Sequence, residues 1–566
     1  MNKEIYETLI TPYVRDMDNN IPWNEYPRPS MVRGSFLCLN GWWDFQISDE
    51  KLPNVFEEKI LVPFPPESAL SNINQEIPKN KFLHYRRIFN LPNDFWVDKI
   101  LLHFGAVDTI CDVFVNGSNV LRHEGGYLPF YADITDFVKE GDNELYVKVQ
   151  DNLSHIFPWG KQSKKRGGMW YTPVSGIWQT VWIESVPNNY IERLHISTGL
   201  DEVKIKVIGC EGLEKQVTLS NGKTFTSSSD EITISPLDKH LWTPEDPYLY
   251  NFTLTAGKDS VEGYFALREV GIIDDNGIKK LALNRKSYLF NGLLDQGYFP
   301  DGIFLPATKK GFEDDILRAK SMGYNMLRKH IKVEPEIFYN LCDKLGIAVF
   351  QDIINNSNYS FVFDTALPTL GMKRFPDKFL HINKKSRRIF EEHMNAQMEH
   401  LNNFPSVVYY TIFNEGWGQF CADKMYKKAK EKDNSRIIDA TSGWFVQKLS
   451  DVDSHHVYFK PLKLKKFGKR PVVISEFGGY SHRVSGHLFG KANYGYRLYK
   501  TAKEYEDAVF SLYKKEVATL AKAGVSAFVY TQLTDVEDET NGLITYDRCI
   551  VKIPCERMAK LMKELY

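Results

Sequence analysis

The sequence predicts a multidomain chain: a β jelly-roll sandwich over residues 1–185, an immunoglobulin-like β-sandwich over 186–270, and a C-terminal (β/α)8 TIM barrel over 271–566. Three observations predict it. Short strand-like runs broken by turn signals fill the first third of the chain. The same rhythm continues, with no helical stretch, to about residue 270. Beyond Glu269, eight apolar runs alternate with amphipathic helical stretches, which is the arithmetic of an eight-fold barrel. A chain of 566 residues is also too long for one core.

The first domain rests on runs 42–47, 100–104, 112–115, 145–149 and 180–183, with Asn116-Gly117 and Gly141-Asp142-Asn143 as turns. Short strands at this spacing suit a sandwich or jelly roll. Runs 202–208, 215–220, 231–234 and 250–255 form the second domain. In the third, the strands are 287–294, 325–331, 347–353, 407–414, 436–441, 452–457, 472–476 and 527–533. Stretches such as 311–322, 334–345 and 390–403 supply helices between them. Residues 355–385 make a long connection after the third strand, and a loop on that face commonly shapes a site.

Composition narrows the function. Lys plus Arg number 71 against 72 Asp plus Glu, and the short basic stretches at 163–166 and 463–470 read as solvated loops, so no nucleic-acid face is expected. The N-terminus lacks the apolar core of a signal peptide, and no apolar run is long enough to span a membrane. A cytoplasmic protein is therefore expected. Seven cysteines with no close C-x-x-C pair read as small buried hydrophobes rather than a zinc cluster or thiol nucleophile. No phosphate-binding Gly-rich loop or H-E-x-x-H signature is present, so no cofactor and no metal are expected. The aromatic share is 14%, enough both to fill sandwich cores and to line a cleft for sugar faces.

Polar residues at the C-terminal ends of barrel strands converge on one face. Here those ends carry Asp295, Arg328, His330, Asp352, Asn414-Glu415, His456, Tyr458 and Glu476, with Trp444 on the loop after the fifth strand. Glu415 and Glu476 each follow an apolar strand directly, on strands four and seven, and their carboxylates can meet over the barrel's centre. Two facing carboxylates suit glycoside hydrolysis, in which one protonates the leaving oxygen and the other attacks the anomeric carbon or activates water. Adjacent His455 and His456 point to opposite faces of a strand, which argues against a shared ion.

Asn414-Glu415-Gly416 with Ser475-Glu476-Phe477-Gly478 resembles the acid/base and nucleophile signatures of glycoside hydrolase family 2. Residues 175–182 (SGIWQTVW) resemble the closing strand of that family's sugar-binding domain, and 265–270 (FALREV) its link into the barrel. The resemblance implies a retaining exo-β-glycosidase with Glu476 as nucleophile and Glu415 as general acid, then base. It implies a contact from Asn414 to the sugar 2-hydroxyl, and a hydrogen bond from Tyr458 to Glu476. It also places Arg328, His330, His456, Asp295 and Asp352 among the sugar contacts or their supports, and Trp444 against a sugar face.

The stretch 540–548 lacks the Asn-x-Lys pair by which β-glucuronidase-like members hold a uronic acid, and Phe350-Gln351-Asp352 is closer to a β-mannosidase-like pattern. A β-galactoside is the first expectation, with β-glucuronide, β-mannoside and arabinoside activities as alternatives. A non-catalytic carbohydrate-binding protein is the alternative of another class. The expected partner is a small carbohydrate or glycoside, and a homo-oligomer is left open. The loop 355–385 and the segment 157–171 are expected to meet the aglycone.

Overall fold

The structure is a computed structural model that describes residues 9–235, 238–367, 376–443, 445–463 and 467–565. Its N-terminal part is a sandwich of antiparallel strands. A six-stranded sheet runs Glu58–Val62, Gly41–Ser48, Phe82–Phe89, Asn143–Gln150, Ile110–Val115, Ser118–Glu124 in spatial order. A four-stranded sheet of Leu37–Cys38, Val181–Val186, Lys99–Phe104 and Phe130–Asp133 faces it. Alternation decides which side chains enter: along Asn143–Gln150, Leu145, Val147 and Val149 are buried while the residues between them are partly exposed. They meet Trp43, Phe45, Tyr85 and Ile183 in one core.

The second sandwich packs three strands (Arg193–Thr198, Val203–Ile208, Glu231–Ile234) against four (Thr224–Ser227, Lys215–Leu219, Tyr250–Ala256, Asp259–Phe265). Val203, Ile205 and Val207 point inward, and Lys204 and Lys206 outward. Each inward residue contributes about 1.5–3 kcal/mol by leaving water.

The barrel strands are β1 (Phe290–Asp295), β2 (Met326–Lys329), β3 (Ala348–Asp352), β4 (Val407–Asn414), β5 (Ile437–Ser442), β6 (Asp453–Val457), β7 (Val472–Gly478) and β8 (Ala527–Thr531). They form one parallel sheet in the order 5-4-3-2-1-8-7-6, nearly closed, with no ladder between β5 and β6 among the described residues. Leu294, Met326, Ala348, Phe350, Tyr409 and Val529 fill the inside. Helices such as Lys310–Ser321, Glu336–Leu345 and Lys384–His400 cover the outside. A hairpin the sequence reading passed over, Val270–Asp275 with Ile278–Leu283, precedes the first barrel strand. Its Asn276-Gly277 turn is a hairpin signal in its own right. No helix of the described residues is long and apolar enough to cross a membrane.

Residues 155–172 of the first sandwich leave it and cross to the barrel mouth. The Trp159 indole N–H donates to Ser357 O at 3.0 Å, and Asn356 Nδ2 donates to Ile156 O at 2.9 Å. The Thr172 N–H donates to Glu537 at 2.8 Å, and the Tyr171 hydroxyl donates to Glu539. The first domain thus builds one wall of the barrel's open end.

Where this segment re-enters the sandwich, the Ser175 N–H donates to the buried Glu67 at 3.1 Å. Burial pushes the Glu67 carboxyl up to about 8, against about 4.3 for an unfolded glutamate. Between those values the folded state holds a proton that the unfolded chain lacks. Stability therefore falls as pH rises, by about 1.4 kcal/mol per unit at most, and levels off above about pH 8. Glu67→Gln keeps the acceptor for Ser175 without the titration. Its melting temperature is expected to gain on the wild type from about pH 5 to 8, with a constant gap above. Thermal melts across pH check this, and a gap independent of pH would contradict it.

Candidate active site

The central cluster of the mouth stems from residues at or just past the C-terminal ends of barrel strands, so the apolar strand bodies fix its position. Arg328 on β2 is the hub. It is buried, and its Nε and Nη2 donate to the two oxygens of Asp352 at 3.0 and 3.1 Å. Nη1 donates to Glu476 Oε1 at 3.0 Å, and Nη2 also donates to Asn414 Oδ1 at 2.9 Å and to Ser442 Oγ at 3.1 Å. Burial alone would lower the guanidinium's pKa, but Asp352 and Glu476 hold it above the ordinary arginine value.

Glu476 on β7 has both oxygens engaged. Arg328 holds Oε1, and the Tyr458 hydroxyl donates to Oε2. Burial, then the Glu476 charge, raises the Tyr458 phenol well above its usual range, so it stays a donor. Tyr458 in turn stacks on Tyr496, with ring centroids 3.7 Å apart. Glu476 is therefore held by donors from two sides, and its rotation is stopped.

Glu415 follows β4 with φ at +51°, a left-handed conformation that is uncommon for a residue with a side chain. Its N–H donates to Ser442 O at 2.9 Å, which carries the chain across β5 and turns the carboxyl over the mouth. Gly416 completes the turn with φ at +81°, where a Cβ would come within 2.3 Å of the Phe445 ring. His456 on β6 stands between the two glutamates, its Nδ1 2.8 Å from Glu415 and 3.5 Å from Glu476. One carboxylate oxygen of each glutamate and this nitrogen all lie within 4.8 Å of one another. The nearest oxygens of the two carboxyls are thus within 4.8 Å, a close approach that fits the roughly 5–5.5 Å between the carboxyl groups of a pair set for direct attack.

Two side chains are left with one face toward a ligand. Asn414 Oδ1 accepts from Arg328 and from Ser442 Oγ (2.8 Å), which fixes the amide and leaves its N–H group facing the mouth. His330 Nδ1 lies 2.7 Å from Asp352 Oδ2. Burial, then the nearby Lys161 charge, brings the imidazole down to about 4, so it is neutral near pH 7. It donates from Nδ1 to the carboxylate, and Nε2 is left as an acceptor for a hydroxyl. Burial would raise Asp352, but Arg328 and His330 overcome that and hold it at about 2. With both oxygens taken, Asp352 supports its neighbours rather than reaching a ligand.

Of the residues singled out in the sequence, the structure brings Glu415, Glu476, Asn414, Arg328, His330, Asp352, His456 and Tyr458 into this one cluster. Asp295 is elsewhere. Leu294 lines the barrel's interior, so Asp295 projects outward, where Lys329 donates to it at 2.6 Å and the Gly297 N–H at 2.9 Å. Trp444 lies outside the described residues, as does part of the loop 355–385. Phe477 turns into the helix layer, against Tyr513 and Phe528. Sequence reasoning missed Ser442, Tyr496 and Lys161. Ser442 lies one residue beyond the predicted end of β5, and the other two come from aperiodic loops.

Beside the pair, Trp417 stacks on Trp170 of the crossing segment at 5.2 Å, and Trp170 on Trp159 at 5.3 Å. Tyr359 meets Trp417 edge-on at 5.6 Å. This aromatic wall flanks Glu415.

Comparison with known proteins identifies the family. Residues 60–187 match the sugar-binding domain model of glycosyl hydrolases family 2, 189–268 match a further family 2 domain model, and 278–549 match its TIM barrel domain. A β-galactosidase of Thermoanaerobacter pseudethanolicus is 28% identical over 322 residues, half of this chain and 42% of that protein. The chain spans less than half the length of the β-galactosidases it resembles from that organism and from Priestia megaterium. Among solved structures, a β-D-glucuronidase of Dictyoglomus thermophilum superposes with a TM-score of 0.74 at 19% identity, covering 95% of this chain and 98% of that one. Consecutive matches to all three domain models, over a barrel that presents the paired glutamates, make this chain a member of glycoside hydrolase family 2.

Proposed function

We propose that the protein is a retaining exo-β-glycosidase that removes terminal β-linked sugars by double displacement. The observation that carries this reading is the short separation of Glu415 and Glu476, with Glu476 alone held by Arg328 and Tyr458. Glu476 attacks the anomeric carbon while Glu415 gives its proton to the departing glycosidic oxygen. The bond from C1 to that oxygen breaks, and an ester between C1 and Glu476 forms with inverted configuration. Glu415, now a carboxylate, takes a proton from water, which attacks C1 and releases Glu476 with a second inversion. Asn414 holds the 2-hydroxyl, and such a contact lowers the barrier to the extent that it strengthens as positive charge builds on the ring.

NMR of the hydrolysis of an aryl β-glycoside tests the reading. The first sugar released is expected to be the β-anomer, with the α-form appearing only by mutarotation. An α-anomer first would replace the reading with an inverting one. No turnover of any β-glycoside would favour the carbohydrate-binding alternative.

For the sugar, a β-galactoside is supported by the names of the first sequence relatives. A β-uronoside is the second reading. It is favoured by one feature, a buried lysine that the sandwich delivers to the mouth.

A further inference from the structure

We infer that Lys161 and the indole N–H of Trp417 form an anion-binding corner of the sugar subsite, so that the preferred terminal sugar carries a negatively charged substituent, a carboxylate or a sulfate ester. The inference rests on the exo-glycosidase reading and names its substrate class.

Five lysines among the described residues are buried: Lys161, Lys215, Lys329, Lys332 and Lys552. Four of them are answered by a carboxylate. Lys215 donates to Asp230 at 2.7 Å, Lys329 to Asp295 at 2.6 Å, Lys332 to Glu334 at 2.9 Å and Lys552 to Asp535 at 2.6 Å. Lys161, 6% exposed, makes no ion pair among the described residues. Its ammonium stands over two rings, 5.5 Å from the centre of Tyr171 and 5.7 Å from that of Trp417. Ring faces attract a cation but offer no acceptor for the ammonium's N–H groups. Glu539 faces it beyond ion-pair distance, and that carboxyl is occupied by Tyr171 and Gln532. Burial raises the Glu539 carboxyl and the Lys161 charge opposes that rise, so the two groups sense each other across a gap too wide for an ion pair.

The second donor is independent of the first. Trp417 is 2% exposed, and its Nε1–H has no acceptor among the described residues. Trp170 stacks on the ring and stops it from turning to find one. A buried N–H is normally satisfied, so an unmatched one beside an unmatched ammonium points to an absent acceptor. A hydroxyl would satisfy the indole but leave the charge unanswered. An anionic oxygen serves both.

The corner's place fits a substituent on the far end of the sugar. Gly160, with φ at +67°, brings the loop so close to β2 that a Cβ there would lie 3.0 Å from Ile331 O, one residue past His330. Lys161 is thereby set on the His330 side of the mouth, and β2 is opposite β6, which carries His456. A sugar with C1 at Glu476 reaches the Lys161 side with its other end. The cation comes from the first domain, so the lack of an Asn-x-Lys pair in the barrel does not bear on it.

The test uses 4-nitrophenyl β-D-galactoside, its 6-sulfate, β-D-galacturonide, β-D-glucoside and β-D-glucuronide. The wild-type kcat/KM is expected to favour an anionic substrate over its neutral parent by about tenfold or more. In Lys161→Met that ratio falls by roughly a hundredfold, the scale for truncating one partner of a buried charge pair. Lys161→Arg keeps most of the ratio, and Trp417→Phe, which removes only the N–H donor and some ring area, lowers it several-fold. Preference for the galacturonide or the glucuronide identifies a carboxylate, and preference for the 6-sulfate identifies a sulfate ester. Wild-type preference for the neutral parents, or a ratio unmoved in Lys161→Met, overturns the inference and leaves the glycosidase reading standing. No turnover of any of the five overturns both. Should Lys161→Met not fold, the wild-type ratio and Trp417→Phe still decide.

Discussion

Replacing Glu476 with Gly is expected to lower hydrolysis of an aryl β-glycoside by at least about 10^4-fold, because no covalent intermediate can then form. The loss alone would not separate a nucleophile from any other essential group. The product formed with azide does. In Glu476→Gly the anion can enter the space vacated beneath the anomeric carbon and displace the aryl group once, giving an α-glycosyl azide. In Glu415→Ala the nucleophile remains, and a good leaving group departs with little help from an acid. The ester to Glu476 then accumulates, and azide attacks it from the Glu415 side to give a β-glycosyl azide. NMR of the two azides checks the pair of assignments together. Exchanged configurations would exchange the two roles, and unaffected hydrolysis in Glu476→Gly would remove the residue from the chemistry. The geometry favours the roles as given. Arg328 and Tyr458 both donate to Glu476 and fix it for attack, whereas Glu415 meets His456.

How far the sequence carries the site follows from where each residue lies. The barrel strands are legible because a strand buried on both faces must be an apolar run of five to eight residues, and the polar residues at its C-terminal end then mark the mouth. That rule finds Asn414, Glu415 and Glu476 without a structure. It errs at Asp295, because a polar residue after an apolar run looks the same whether it faces the interior or the helices. The parity of Leu294 decides, and parity is set by β1's register with β2 and β8. The hub role of Arg328 is legible only in part. Its residue type suggests an ion pair, but five partners from β3, β4, β5 and β7 are a property of barrel closure. Lys161 and Tyr496 were beyond reach for another reason. Loops carry no periodicity, so nothing in 159–171 or 479–500 says which side chain returns to a mouth built far along the chain.

Arg328→Met is expected to cost about 3–5 kcal/mol of stability, the usual penalty for stranding the partner of a buried ion pair. Asp352 is the stranded group. With the guanidinium it titrates at about 2, below the roughly 3.9 of an unfolded aspartate. Its contribution is then fully present above about pH 4 and lost as pH falls toward 2. Without the guanidinium, burial dominates and its folded pKa rises above the unfolded value. The variant is then penalised at neutral pH and relieved as acid protonates Asp352. The stability gap between wild type and variant should therefore narrow as pH falls, which thermal melts at a series of pH values would show. A gap that is constant or widens would mean that Asp352 does not carry the penalty. Activity should fall as well, by about 10^2–10^3-fold in kcat, since Glu476 loses a donor and the Asn414 amide loses one of the two bonds that orient it. Adding Asp352→Asn removes the stranded charge and should restore much of the stability but little of the activity. If activity returned with stability, Arg328 would be a packing residue of the barrel mouth, and the claim that it holds the nucleophile in place would fail.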